Sequence, residues 1–140
     1  MNADDITRYL LATFPRVEAD TTTPTTFFFI GADHKFPFVT IKRTDDAYDR
    51  ASQLDRSPDL FRLNIGVSRT TYKGLFPHTT DHVWTAPDRL MPHPVYAKMY
   101  WVCVLNPSDM TFERVKPLLA EAHTIAVNTR TLASSRTART

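Results

Sequence analysis

A single cysteine in 140 residues rules out an internal disulfide and any zinc site built on several thiolates. Glycine is nearly as scarce. The three present, Gly31, Gly66 and Gly74, form neither a G-x-G-x-x-G turn nor a P-loop, so nucleotide cofactors of those types are not implied and none is expected. No serine sits in a G-x-S-x-G elbow, and Cys103 has no base beside it in sequence, which leaves nucleophilic catalysis without support. No apolar run approaches the length of about 18 residues that a membrane helix needs. The N-terminal MNADDITRYL is acidic and lacks a basic signal-peptide region, so the expected compartment is the cytoplasm, with no membrane partner.

Basic charge is also lacking where a nucleic-acid binder would carry it. The chain has 17 Lys and Arg against 15 Asp and Glu, a net charge of +2. Three of those arginines (Arg130, Arg136 and Arg139) lie in the acid-free stretch 128–140, which leaves 14 basic against 15 acidic residues in 1–127. The reading is one domain over 1–127 and a flexible Ser/Thr/Arg tail over 128–140, the tail being too poor in apolar residues to fold. A nucleic-acid partner is therefore not favoured.

What is present is a mixture of periods. Ile6, Leu10, Leu11 and Phe14 recur at helical spacing after Asp4 and Asp5, with Pro15 as the stop. Val17–Thr22, Phe27–Ile30 and Phe36–Arg43 read as strands, Pro37 marking an edge or the start of the third. Asp45–Leu54 reads as a short surface helix. Phe61–Val67 alternates cleanly and predicts a half-buried strand with Arg62 and Asn64 on its second face. Ser68 caps a short helix reaching Leu75. Pro77–Val95, with four prolines and three histidines, reads as an irregular loop. Met99–Leu105 is apolar on both faces and predicts a central strand in which Cys103 is a buried, inert thiol. A last helix carries Phe112, Val115, Leu118/Leu119, Ala122 and Ile125/Ala126 in one stripe, with a kink or break expected at Pro117. Runs of strands joined by short turns predict an α+β, two-layer domain: an antiparallel sheet of about five strands with helices on one face.

In this order, TFPRVEAD, TTFFFIGADHKFPFVTIK, MPHPVYAKMYWVCVL and TFERVKPLLAEAHTIAV resemble the small bacterial MmcQ/YjbR-like proteins. A closer resemblance, over about residues 4–127, is to an actinobacterial family of unknown function, domain of unknown function family 6194. The stretches FRLNIGVSRTTYKGLF, DRLMPHPVYAKMYWVCVLNPS and TFERVKPLLAEA carry it. The resemblance implies a secretion-chaperone-like (YjbR-like) fold and transfers no catalytic residue. DNA binding through a double-winged surface has been proposed for the MmcQ/YjbR-like group, and the near-neutral body departs from it.

His93 stands out among the polar residues because Pro92 and Pro94 stiffen the backbone around it. Beside Asp88 and Tyr96 it could serve as a general base or orient a ligand; equally, it could bond a carbonyl and pin its own loop. His78 and His82 have the i, i+4 spacing of two metal ligands, but Thr79-Thr80-Asp81 is a poor helix interior, and no metal is expected. His34 and His123 read as surface residues. Aromatics on both faces of several strands (Phe27, Phe28, Phe29, Phe36, Phe38, Tyr100, Trp101) would be costly to leave in water. They point to coverage by the Pro77–Val95 loop, by a second copy in a homodimer, or by a ligand. The preferred reading is a non-enzymatic binding or interaction module whose cleft is lined by His93, Arg62, Asn64, Asp88, Tyr96 and Trp101 and takes a small organic ligand. The alternatives are a small enzyme using Asp88, His93 and Tyr96 for acid–base chemistry, or a YjbR-like nucleic-acid binder.

Overall fold

In the computed structural model the backbone is described for residues 1–138 and side chains for residues 1–129. The elements are α1 (Ala3–Thr13), β1 (Val17–Asp20), β2 (Thr26–Ile30), β3 (Val39–Lys42), β4 (Arg62–Gly66), α2 (Arg69–Leu75), β5 (Leu90–Pro92), β6 (Trp101–Leu105) and α3 (Asp109–Ala138). The strands form one open antiparallel sheet in the order β1-β2-β3-β4-β6-β5. The α+β class is as expected, with six strands where the sequence suggested about five. No helix among the described residues is long and apolar enough to cross a membrane.

Side-chain alternation divides the sheet into two unlike faces. Phe28 and Ile30 of β2, Val39 and Ile41 of β3, Leu63 and Ile65 of β4, and Val102 and Val104 of β6 all point to one side. There they meet Ile6 and Leu10 of α1 and the stripe Phe112, Val115, Leu119 and Ala122 of α3. This is the main core. Local chemistry fixes both helix starts. Asn2 and Asp5 form a reciprocal capping box on α1, and Ser108 Oγ accepts the Thr111 N–H at the head of α3, contacts worth about 1 kcal/mol each.

Several expectations are corrected. The sixth strand, Leu90–Pro92, lies within the stretch read as irregular. As an edge strand it tolerates Pro92, whose missing N–H has no ladder partner to serve. Of the two readings of Pro37 the strand entrance holds, since β3 is interior, but β3 begins at Val39 and not at Phe36. Residues 45–54 form turns in place of a surface helix, because their aspartates bond to nearby backbone. Asp46 Oδ1 accepts the N–H groups of Tyr48 and Asp49, and Asp45 accepts those of Leu54 and Asp55. A short 3-10 turn, Leu54–Arg56, follows, and Leu54 is fully buried. β4 is buried on both faces, Arg62 and Asn64 included. Neither His34 nor His123 is a simple surface residue: His34 stacks on Phe29 and bonds Glu18, while His123 stacks on Phe14 and bonds the Pro15 carbonyl.

α3 continues through Pro117 without a break. Its backbone is helical to Ala138, so the sequence-based boundary at residue 127 falls inside the helix. The tail arginines Arg130, Arg136 and Arg139 lie outside the residues whose side chains are described.

Candidate functional site

The second sheet face carries the chemistry. Across it, Phe27, Thr40, Asn64, Cys103 and Met91 stand in register on β2, β3, β4, β6 and β5. One step along, Lys42 of β3 lies directly opposite Arg62 of β4. Two like charges in that position repel, and both side chains are buried. The turns after β3 supply the answer, since they fold over the sheet face and deliver one carboxylate to each cation. Asp46 pairs with Lys42, and Asp49 pairs with Arg62. Arg62 is further held by Nη1 bonds to Asp49 Oδ1 (3.1 Å) and Ser52 Oγ (3.0 Å) and by its Nε bond to Asn64 Oδ1 (2.9 Å). Asn64 Nδ2 in turn donates to Thr40 Oγ1 at 2.9 Å. The floor is thus a polar network sunk into a sheet and neutralised pair by pair.

His93 sits at one wall of this floor and is only 4% exposed. Its position follows from the local sequence. Pro94 has no N–H, so the first donors after the histidine are those of Val95 and Tyr96, and both bond to His93 Nδ1 at 3.0 Å. The His93 N–H bonds the Trp101 carbonyl at 3.0 Å and closes the β5–β6 connection. On its other side, Nε2 lies 3.3 Å from Arg62 Nη2. Burial, then the neighbouring Arg62 charge, with Lys42 adding and Asp49 opposing, drives the imidazole pKa down to about 3. The ring is neutral at physiological pH. Cys103, beneath the same floor, is fully buried, and its thiol is pushed up to about 12 chiefly by that burial.

Above the floor is a cleft of about 480 Å³, within the range usual for small-molecule sites. Its rim is apolar and open. Phe36 is 81% exposed and Tyr48 89%, and Val95, Tyr96 and Met99 are also exposed. Tyr96 sets its ring 5.0 Å from that of His93. Trp101 stands at the end of the cleft and also lines a neighbouring cavity of about 390 Å³ on the side of α3. Gly66, its register partner, makes room for it: a Cβ there would lie 3.1 Å from the indole.

Five of the six residues singled out from sequence, Arg62, Asn64, His93, Tyr96 and Trp101, line this cleft together. Asp88 does not. It is exposed at the other end of the β5–β6 pair, with a positive φ of 59°, and caps α3 by accepting the Ser108 N–H at 2.7 Å. That bond, with Thr111 next, holds its carboxyl below the usual range. Asp88 and His93 flank β5 from opposite ends, so proximity in sequence became separation in space. The Pro77–Val95 loop also contributes less cover than expected, with His93 and Val95 its only residues in the lining. Its Trp84 instead bonds the Pro92 carbonyl at 2.8 Å, and His78 lies exposed. Sequence reasoning missed Thr40, Lys42, Asp46 and Asp49. A strand over Phe36–Arg43 puts Thr40 and Lys42, two residues apart, on one face, and that was the available signal.

No curated protein and no solved structure matches the chain. Over residues 1–135 it matches the profile of a family of unknown function, and the chain belongs to that family, DUF6194.

Proposed function

We propose that this protein is a non-catalytic binding module for a small organic ligand, held in the cleft between the Asp45–Ser52 turns and the His93–Met99 segment. The observation that carries the reading is a buried, hydrogen-bonded polar floor under a rim of exposed aromatic side chains. Such a floor fixes the orientation of a ligand whose apolar body the rim removes from water. Acid–base catalysis has weaker support: Asp88 lies apart, and both backbone donors beside His93 occupy its Nδ1. Nucleic-acid binding has weaker support too, because Lys42 and Arg62 each face a carboxylate instead of forming a basic footprint. The turns over β3 and β4 interrupt the flat sheet surface that a homodimer would use.

A thermal-shift screen of planar organic compounds against the wild type and Phe36→Ser tests the proposal. Stabilisation follows mass action and reaches about 2.7 kcal/mol at a hundredfold excess over Kd. Phe36 is mostly exposed, so the variant should melt with the wild type yet lose most of the ligand-induced shift. A library with no stabilising member, or an equal shift in both proteins, defeats the reading.

A further inference from the structure

We propose that the cleft selects organic acids, specifically aromatic carboxylates, and receives the ligand carboxylate beside the His93 Nε2–Arg62 Nη2 pair, one oxygen bridging both N–H groups from the cleft. The inference rests on the ligand-binding reading above and adds the chemical class of ligand.

A neutral imidazole carries one N–H, on either Nδ1 or Nε2. The Val95 and Tyr96 N–H groups both point at Nδ1, so Nδ1 must be the bare acceptor and the proton resides on Nε2. His93 therefore presents a donor on its cleft side. Arg62 has five N–H groups and no acceptor. Four are committed to Asn64 Oδ1, Asp49 Oδ1, Ser52 Oγ and Asp49 Oδ2. The fifth, on Nη2, faces His93 Nε2 at 3.3 Å. Two donors thus meet head on, and neither is an acceptor for the other.

Both side chains are more than nine-tenths buried, at 4% and 1% exposure, and both line the cleft. A buried donor that faces another donor is costly, and an oxygen that accepts from both removes the cost. Asn64 directs its Oδ1 to Arg62 Nε and its Nδ2 to Thr40, so its oxygen is engaged with Nε rather than with this pair. The field at this point is positive on balance: Arg62 and Lys42 both oppose protonation of His93, and Asp49 alone favours it. A carboxylate suits two converging donors in such a field better than a neutral carbonyl, and charge-assisted bonds to it are the stronger kind. Phe27, Phe36, Tyr48 and Tyr96 then define the other half of the ligand, a flat apolar ring system.

The test uses three probes that share one ring system: 2-naphthoate, 2-naphthamide and 2-naphthylmethylammonium, titrated against tryptophan fluorescence. The wild type should bind the carboxylate most tightly and the ammonium least, with the two separated by more than tenfold. His93→Asn is the informative variant, since its Oδ1 can take over the Val95 and Tyr96 N–H bonds while the Nε2 donor is lost. It should stay folded at neutral pH and bind 2-naphthoate about ten- to a hundredfold more weakly, the loss of one hydrogen bond to a charged group. Nitrogen-15 NMR of the ligand-free wild type should show a protonated Nε2 and a bare Nδ1. The opposite tautomer overturns the proposal whatever the titrations give. Ammonium binding as tight as carboxylate binding overturns it and leaves the ligand-binding reading standing, whereas failure of all three probes counts against both.

Discussion

Acid should begin to destabilise this protein through His93 before its carboxylates are titrated. The unfolded histidine takes up a proton near pH 6.5, whereas the folded one, buried beside Arg62, resists until about 3. Between those values the unfolded chain binds more protons than the folded one, so stability rises with pH. The contribution is complete above the unfolded pKa of 6.5 and is lost as pH falls toward the folded value. At about pH 4.5 the unfolded imidazole is protonated about a hundred to one, the folded one only about one part in thirty. At 1.36 kcal/mol per pKa unit this difference approaches 2 units and removes about 2.7 kcal/mol. That is a large share of the roughly 5–15 kcal/mol that holds a typical domain together. Urea denaturation at about pH 7.5 and about pH 4.5, on the wild type and on His93→Asn, isolates the effect. Asp46, whose carboxyl is held low first by its bond to Lys42, also loses stability in acid, as do Asp5, Asp20 and Asp88, but below their usual range and equally in both proteins. The wild type should therefore lose about 2–3 kcal/mol more than the variant between the two pH values. Equal losses would refute the idea that burial and Arg62 keep this ring neutral.

Two further outcomes follow from the buried network. Asp49→Ala strands the Arg62 charge inside the sheet and should cost about 3–5 kcal/mol in urea denaturation. Adding Arg62→Met should recover much of that loss, and a single variant as stable as the wild type would show that the pair is solvated. Cys103 should react with a thiol reagent at about pH 8 only as fast as the protein opens, and should give one full equivalent in urea. Native labelling within minutes would contradict its burial.

The parts of the fold legible in sequence were those that a single pattern or a single short-range contact decides. Apolar alternation over Phe61–Val67 found β4 (Arg62–Gly66), and the run Met99–Leu105, apolar on both faces, found the interior strand β6, which begins at Trp101 after a 3-10 turn that ends at Met99. Ser68 and the acids near Asn2 marked helix starts, because capping is local chemistry. What could not be read depended on long-range partners. Leu90–Pro92 is a strand only because β6 offers it an edge, and its proline argued against it. Asp45–Leu54 had helical spacing, yet the aspartates preferred nearby N–H groups, and Lys42 and Arg62 needed their carboxylates. Arg62 and Asn64 were correctly assigned to the face away from the core, but pairwise compensation, which no period reveals, made them buriable. His93 was noticed for its prolines. Its tautomer was legible only once Val95 and Tyr96 were seen to share one ring nitrogen.

Trp101 gives the molecule a partition wall. One indole borders cavities of about 480 Å³ and about 390 Å³, and Phe36, Pro37 and Met99 edge both. The wall rests against a residue with no side chain, Gly66. Truncating Trp101 would open one compartment into the other, and adding a methyl at Gly66 would push the wall by a few tenths of an ångström. The boundary between the two compartments can therefore be moved at a single pair of strand positions, Gly66 and Trp101, neither of which belongs to the Lys42–Arg62 charge network.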